Sequence, residues 1–382
     1  MQYKRLFPLV LATVASAQTP SLTDALGSQD STLSSLNAIL GSNSQIANAL
    51  NNLRNVTILA PSNDALSSLM SSSDTVSLLS NSGYLQALLN YHVLNGTYYN
   101  TSFSNDSVFI PTALTNETYT NVTGGQVVEA QMRDNNVTFF SALKENATIV
   151  TPNLNFTGGT IHVINSLLMM PQNISETLSN ANLTAAEGAI NAANLNDSVA
   201  NTHDVTIFAP NNDAFNAIGS ITSNLTSDQL ASIVGYHVIN GSVNYSTQLQ
   251  NSTLTTVNGQ NITITVENGT VYANSAKITV PDILLANGVV HVINQVLNPD
   301  NASASPDTTA TTATAAFSSA SAGTDGVPFT SGVTTPTTTF PAATSAGGSA
   351  ESSSSSGVAM PMKTGAVGAA ALFGGAVVLV NL

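Results

Sequence analysis

Hydrophobic and polar positions follow two different periods along this chain. In "VTIFAP", from Val205, β-branched and apolar residues run together and predict a strand entering the core; Pro210 stops it. In "NNDAFNAI", directly after, Ala214, Phe215 and Ile218 fall at helical spacing. The Asn211–Asn212 pair offers a side-chain oxygen to the free N–H groups of that helix, and Asp213 suits its first turn. "TSDQLASIVGYHVI" predicts a second helix, capped by Thr226 or Ser227, with an apolar stripe at Leu230, Ile233 and Val234. Gly235 should end it, and "YHVI" continues as a strand, which places His237 at a helix-to-strand junction. "NITITVENGTVYANSAKITV" reads as strands with a tight hairpin at Asn268–Gly269. "GVVHVINQVL" is nearly all apolar and predicts a strand buried on both faces.

These phrases occur twice, in the same order. "VTILAPSNDALSSL" from Val56 pairs with "VTIFAPNNDAFNAI" from Val205, so Asn63 and Asp64 answer to Asn212 and Asp213. "LNYHVLNG" from Leu89 pairs with "VGYHVING" from Val234, matching Tyr91 and His92 to Tyr236 and His237. "GTIHVINSLLMMP" from Gly159 pairs with "GVVHVINQVLNP" from Gly288, matching His162 to His291. A whole domain has been duplicated in tandem. Helical stretches such as "STLSSLNAILGSNSQIANAL" precede the first block, so each copy reads as helices packed on an antiparallel sheet, an α+β class. The copies occupy residues 18–171 and 172–300 of the 382.

The two ends change the picture. "MQYKRLFPLVLATVASA" sets Lys4 and Arg5 before a short apolar core and ends in small residues, which predicts a secretory leader cleaved after Ala17. The apolar run is shorter than the roughly 20 residues a membrane span needs. At the other end "GAVGAAALFGGAVVLVNL" follows a short polar spacer and the small residues Ser355, Ser356 and Gly357. That order predicts replacement of residues 357–382 by a GPI lipid on Ser356. Residues 301–356 are dominated by Ser, Thr, Ala, Pro and Gly and should form an extended, disordered, O-glycosylated stalk.

Composition narrows the function. Seven Lys plus Arg stand against 21 Asp plus Glu, a balance that excludes nucleic acid as partner. With no Cys there is no disulfide framework, thiol nucleophile or Cys-ligated zinc. Asn-X-Ser/Thr sequons recur at Asn55, Asn95, Asn100, Asn105, Asn116, Asn121, Asn136, Asn146, Asn155, Asn173, Asn182 and Asn196. They continue at Asn224, Asn240, Asn244, Asn251, Asn261, Asn268 and Asn301. Sugar on even half of them would solubilise a chain in which only 7% of residues are charged.

The ordered set "TIFAPNNDAF", "YHVING" and "GVVHVINQVL", present twice, resembles the signature of fasciclin domains. The resemblance implies a compact β-wedge or sandwich decorated by helices, and adhesion between cells or to matrix, usually without catalysis. The terminal signal and stalk resemble fungal members. In the family an acidic–aliphatic pair before the final strand is credited in animals with integrin binding. The second copy has it as Asp282–Ile283 after Pro281; the first has Pro152-Asn153-Leu154 and lacks the charge. Asp282 and Ile283 are therefore the candidate adhesion loop, against the simpler reading of a Pro-Asp turn.

The histidines admit four readings. As bracing groups they would bond backbone that the junctions leave free, with Tyr91 and Tyr236 packed inward and their hydroxyls satisfied. A metal would need His92 and His162 to meet, with acidic help. Catalysis would need a nucleophile and an orienting acid; no Gly-x-Ser-x-Gly elbow occurs, and His203 and Asp204 are adjacent in sequence and so point apart in a strand. Buried histidines charging in mild acid would make a pH switch. The residues favour the first. The expected protein is thus a non-enzymatic surface glycoprotein without cofactor. Its expected partners are surface or matrix proteins or glycans, the membrane through GPI lipid, and weakly its own copies. A wall or matrix filler and a polysaccharide-active enzyme are the alternatives.

Overall fold

The computed structural model describes residues 19–70, 81–306, 316–317, 319–324 and 326–333. The expected leader, Ser356 and the attachment signal lie outside them. The first copy runs α1 (Leu22–Gly27), α2 (Asp30–Ser42), α3 (Ser44–Asn51), β1 (Val56–Pro61), α4 (Asn63–Met70), α5 (Ser82–Tyr91) and β2 (Val93–Asn95). It continues with β3 (Val108–Pro111), β4 (Val127–Arg133), β5 (Asn136–Phe140), β6 (Asn146–Phe156) and β7 (Gly159–Ile164). The second copy runs α6 (Ile174–Asn180), α7 (Thr184–Ala192), α8 (Asn196–Asn201), β8 (Val205–Pro210), α9 (Asn212–Ala217), α10 (Gly219–Thr222) and α11 (Ser227–Tyr236). Strands β9 (Val238–Ile239), β10 (Ser252–Thr255), β11 (Asn261–Glu267), β12 (Thr270–Ala273), β13 (Ala276–Leu285) and β14 (Gly288–Ile293) complete it.

Each copy folds around one seven-stranded sheet, ordered β2-β1-β7-β6-β5-β4-β3 in the first and β10-β11-β12-β13-β14-β8-β9 in the second. The expectation of a wholly antiparallel sheet needs one correction. β1 pairs parallel with β7, and β8 parallel with β14, because the last strand of each copy returns beside the first after the intervening helices and hairpins. Apart from Gly159, these central strands are buried along their whole length, which is why they read as unbroken apolar runs. Gly159 and Gly288 open the last strands where a side chain has no room: a Cβ on either would lie 1.9 Å from the carbonyl oxygen of Val56 or Val205.

Local signals behave as their chemistry predicts, with two refinements. The Asn211 side chain accepts the Ala214 N–H at 2.8 Å and caps α9. Asn212 reaches across instead: its Oδ1 accepts the Ala185 N–H at 3.0 Å in α7, as Asn63 Oδ1 accepts the Ser35 N–H at 2.9 Å in α2. The repeated Asn thus ties the preceding helix to the strand-to-helix turn, while Asp64 and Asp213 sit in the first turns of α4 and α9. Thr226 caps α11 through a capping box with Gln229. Gly235 does not end α11, which runs on through Tyr236 with His237 at its C-cap. Asn268 and Gly269 both adopt positive φ and turn β11 into β12.

Part of the expected stalk also departs from expectation. Phe317, Ala320, Val327 and Phe329 pack against the helical core of the second copy. Apolar side chains recur there among the Ser and Thr, and burying them against a groove offsets the cost of ordering the segment.

Candidate functional site

The repeated histidines sit where three chain segments meet. In the first copy His92 closes α5, and its Nδ1 donates to the Leu88 carbonyl at 2.8 Å. Its Nε2 then has a free lone pair, which accepts the Leu168 N–H at 3.0 Å from the chain beyond β7. His237 repeats this, donating to the Ile233 carbonyl at 2.7 Å and accepting the Leu297 N–H at 2.9 Å. Each ring is 2% or 5% exposed, and burial lowers both pKa values to about 4, against a smaller upward pull from the carbonyl bond. The adjacent tyrosines are buried with them. The Tyr91 hydroxyl donates to the Val127 carbonyl at 3.1 Å, and the Tyr236 hydroxyl to the Asn261 carbonyl at 2.8 Å.

His162 and His291 brace an irregularity in the middle of each sheet. β6 and β13 each bulge against their partners, and Asn153 (φ 60°) and Asp282 (φ 61°) are the left-handed residues of the bulges. The Nδ1 of His162 accepts the Asn153 N–H at 3.3 Å, and its Nε2 donates to the Tyr98 carbonyl at 2.8 Å. His291 does the same with the Asp282 N–H at 3.3 Å and the Asn244 carbonyl at 2.8 Å. Burial lowers both pKa values; at His291 the Asp282 carboxylate pulls upward and Lys144 pushes further down. All eight ring nitrogens of these four histidines are therefore held by backbone groups. The exposed His203 stands apart from them.

The candidate adhesion pair requires correction. Asp282 is only 2% exposed and Ile283 is fully buried, so neither is available to a receptor. The Asp282 carboxylate accepts the Ser246 N–H at 2.7 Å, as Asn153 Oδ1 accepts the Asn100 N–H at 2.9 Å in the first copy. Either side chain caps the one-turn helix of the facing loop, which is why amide and carboxylate interchange at this position. Asn153 is exposed and Asp282 is not, because the first copy packs over this corner of the second.

No local pattern in the sequence signals that packing. Thr120 Oγ1 and the Asn121 N–H donate to the Ala286 carbonyl at 3.0 and 2.7 Å, and Gln126 Nε2 donates to the Leu285 carbonyl at 2.9 Å. Asp204, paired with His203 only in sequence, accepts the Thr123 N–H at 2.7 Å and its hydroxyl at 2.5 Å. Between these bonds Phe109 stacks on Tyr245, ring centroids 4.2 Å apart, over a cluster of Val127, Leu284 and Val289. The turn between β13 and β14 is thus plugged into the loop before β4. The two copies belong to one compact unit.

All the sequon asparagines are exposed except Asn100, Asn121, Asn196 and Asn244, which are half-buried. Asn244 Nδ2 already donates to Thr206 Oγ1 at 3.2 Å and to Ser242 Oγ at 2.9 Å. Among the described residues no group of three or more His, Asp and Glu is placed to hold a metal ion.

The Fasciclin domain family model matches residues 31–171 and 181–299, and the chain belongs to that family. A fasciclin-like arabinogalactan protein of Arthroderma benhamiae is 34% identical over 313 residues, covering 81% of this chain and 74% of that one. Another, from Phaeosphaeria nodorum, is 30% identical over 298 residues, 78% of this chain and 93% of its own. Human periostin is 27% identical over 162 residues, 41% of this chain and 19% of periostin. A solved FAS1 domain pair of the insect cell adhesion molecule Fasciclin I aligns with 72% of this chain and 99% of its own at 20% identity and TM-score 0.35.

Proposed function

We propose that this protein is a non-enzymatic surface glycoprotein whose paired domains make weak, repeated contacts with matrix or neighbouring cells. One observation carries this reading: the polar groups that the duplicated motifs share are spent on backbone. The imidazoles of His92, His162, His237 and His291 and the Asp282 carboxylate all hold main-chain atoms, so the motif positions build architecture. Contacts then fall to the outer surface, where the sequons lie. The leader, the stalk and Ser356 support secretion and GPI attachment to the plasma membrane or wall. Single contacts are weak, and many molecules on one surface supply avidity. Kinship with fasciclin-like arabinogalactan proteins supports a place at the cell surface.

The spread of sequons over both domains also favours a second reading, a wall filler whose sugar coat is the function. Beads coated with the glycosylated protein separate the two. An adhesive protein makes them bind cells or wall fragments at a density-dependent threshold, and a filler does not. A phosphatidylinositol-specific phospholipase should release the protein from intact cells; retention after treatment counts against the lipid anchor.

A further inference from the structure

We infer that residues 316–317, 319–324 and 326–333 form a latch, and that the helical face of the second domain is a built docking groove for it. The apolar residues of the segment face inward. The Phe329 ring packs edge-on against Phe215 at 5.9 Å and 80°, with Phe317, Ala320 and Val327 on the same core. The hydroxyl residues Ser319, Ser321, Thr324 and Ser331 stay exposed, so sugars on that face are compatible with docking. Backbone bonds fix the register. The Ser220 N–H donates to the Ser321 carbonyl at 3.1 Å, and the Gly323 N–H to the Asn216 carbonyl at 2.9 Å. The Ser321 N–H donates to Ser220 Oγ at 2.9 Å, and Asn298 Nδ2 holds the Ala316 carbonyl at 3.0 Å.

Two glycines in the groove show that it is shaped for a chain. A Cβ on Gly188 would lie 1.7 Å from the Phe329 carbonyl oxygen, and one on Gly219 would lie 2.5 Å from the Cα of Gly323. Gly188 sits inside α7, where glycine costs about 1 kcal/mol relative to alanine. The corresponding position in the first domain can be read from the two asparagine bonds. Asn63 holds Ser35 and Asn212 holds Ala185, so Ala38 answers to Gly188. Ala38 is exposed. Glycine thus stands where a segment crosses the helix, and alanine at the equivalent exposed position.

With the latch closed, the docked chain reaches Val333. Opened, the stretch from Pro306 to Val333 adds up to about 90 Å of extended chain. Docking itself does not depend on the adhesive reading, and its test does not use adhesion.

Hydrogen exchange on the full secreted chain provides the test, comparing wild type with Gly188→Ala and with the double variant Phe317→Ala/Phe329→Ala. Alanine favours the helix, so Gly188→Ala should expel the segment while the domain stays folded; protection of the β14 peptide monitors this. Amides of residues 316–333 are expected to exchange at least tenfold faster in both variants, with peptides of the first domain unchanged. Equal rates in wild type and Gly188→Ala would overturn the latch. So would protection that vanishes on dilution together with a dimer, since the segment would then dock on a second copy.

Discussion

His92 and His237 make stability depend on mild acid, and the size of the effect follows from their burial. Each ring has a pKa of about 4 in the folded chain, against about 6.5 unfolded. The unfolded chain therefore binds more protons throughout the window from pH 6.5 down to 4, and stability falls as pH falls through it. Protonation also converts Nε2 from acceptor to donor, setting it against the N–H of Leu168 or Leu297. From the linkage relation each histidine contributes a loss of about 2 kcal/mol between pH 7 and 5, approaching about 3 kcal/mol below pH 4. A domain has roughly 5–15 kcal/mol in all, so the loss is a large part of it. His162 and His291 are lowered by burial and push the same way. The assay is urea unfolding at pH 7, 6, 5 and 4.5. With a slope of about 1–3 kcal/mol per molar, the midpoint should drop by about 1 M or more between pH 7 and 5. His237→Gln, which does not titrate, should weaken this pH dependence by removing the contribution of one ring. A wild-type midpoint constant from pH 7 to 4.5 would refute the reasoning.

Four further outcomes follow from the fold. Asp282→Ala removes the acceptor for the Ser246 N–H at a left-handed residue and should cost about 1–3 kcal/mol by denaturant titration. Asp282→Asn, copying Asn153, should cost less than about 1 kcal/mol and leave bead attachment unchanged; lost attachment by this folded variant would restore the pair as a receptor contact. Tyr245→Ala breaks the stack on Phe109 and should split thermal unfolding into two calorimetric transitions, whereas one shared transition would show that the remaining bonds keep the domains together. Gly288→Ala drives a Cβ to 1.9 Å from the Val205 carbonyl and should lower the melting temperature by several degrees, measured by circular dichroism.

What the sequence determined by itself lies within single elements and in their repetition. Strand, capped helix and hairpin in "VTIFAPNNDAF" and around Asn268–Gly269 were legible because side chains a few residues apart settle those conformations. Duplication doubled the signal, and the paired His and Tyr positions marked architecture before any partner was known. Tertiary structure decided the rest. His92 finds its acceptor role 76 residues away at Leu168, and no local pattern reports such a distance. Asp282 and Asn153 share one backbone geometry, yet Asp282 is buried and Asn153 exposed, because only Asp282 is overlaid by a neighbouring domain. Phe317 and Phe329 look misplaced in a Ser/Thr-rich stretch until the groove beside Gly188 gives them somewhere to go. Burial is a property of the assembled surface, and composition along the chain records only what each segment has available to bury.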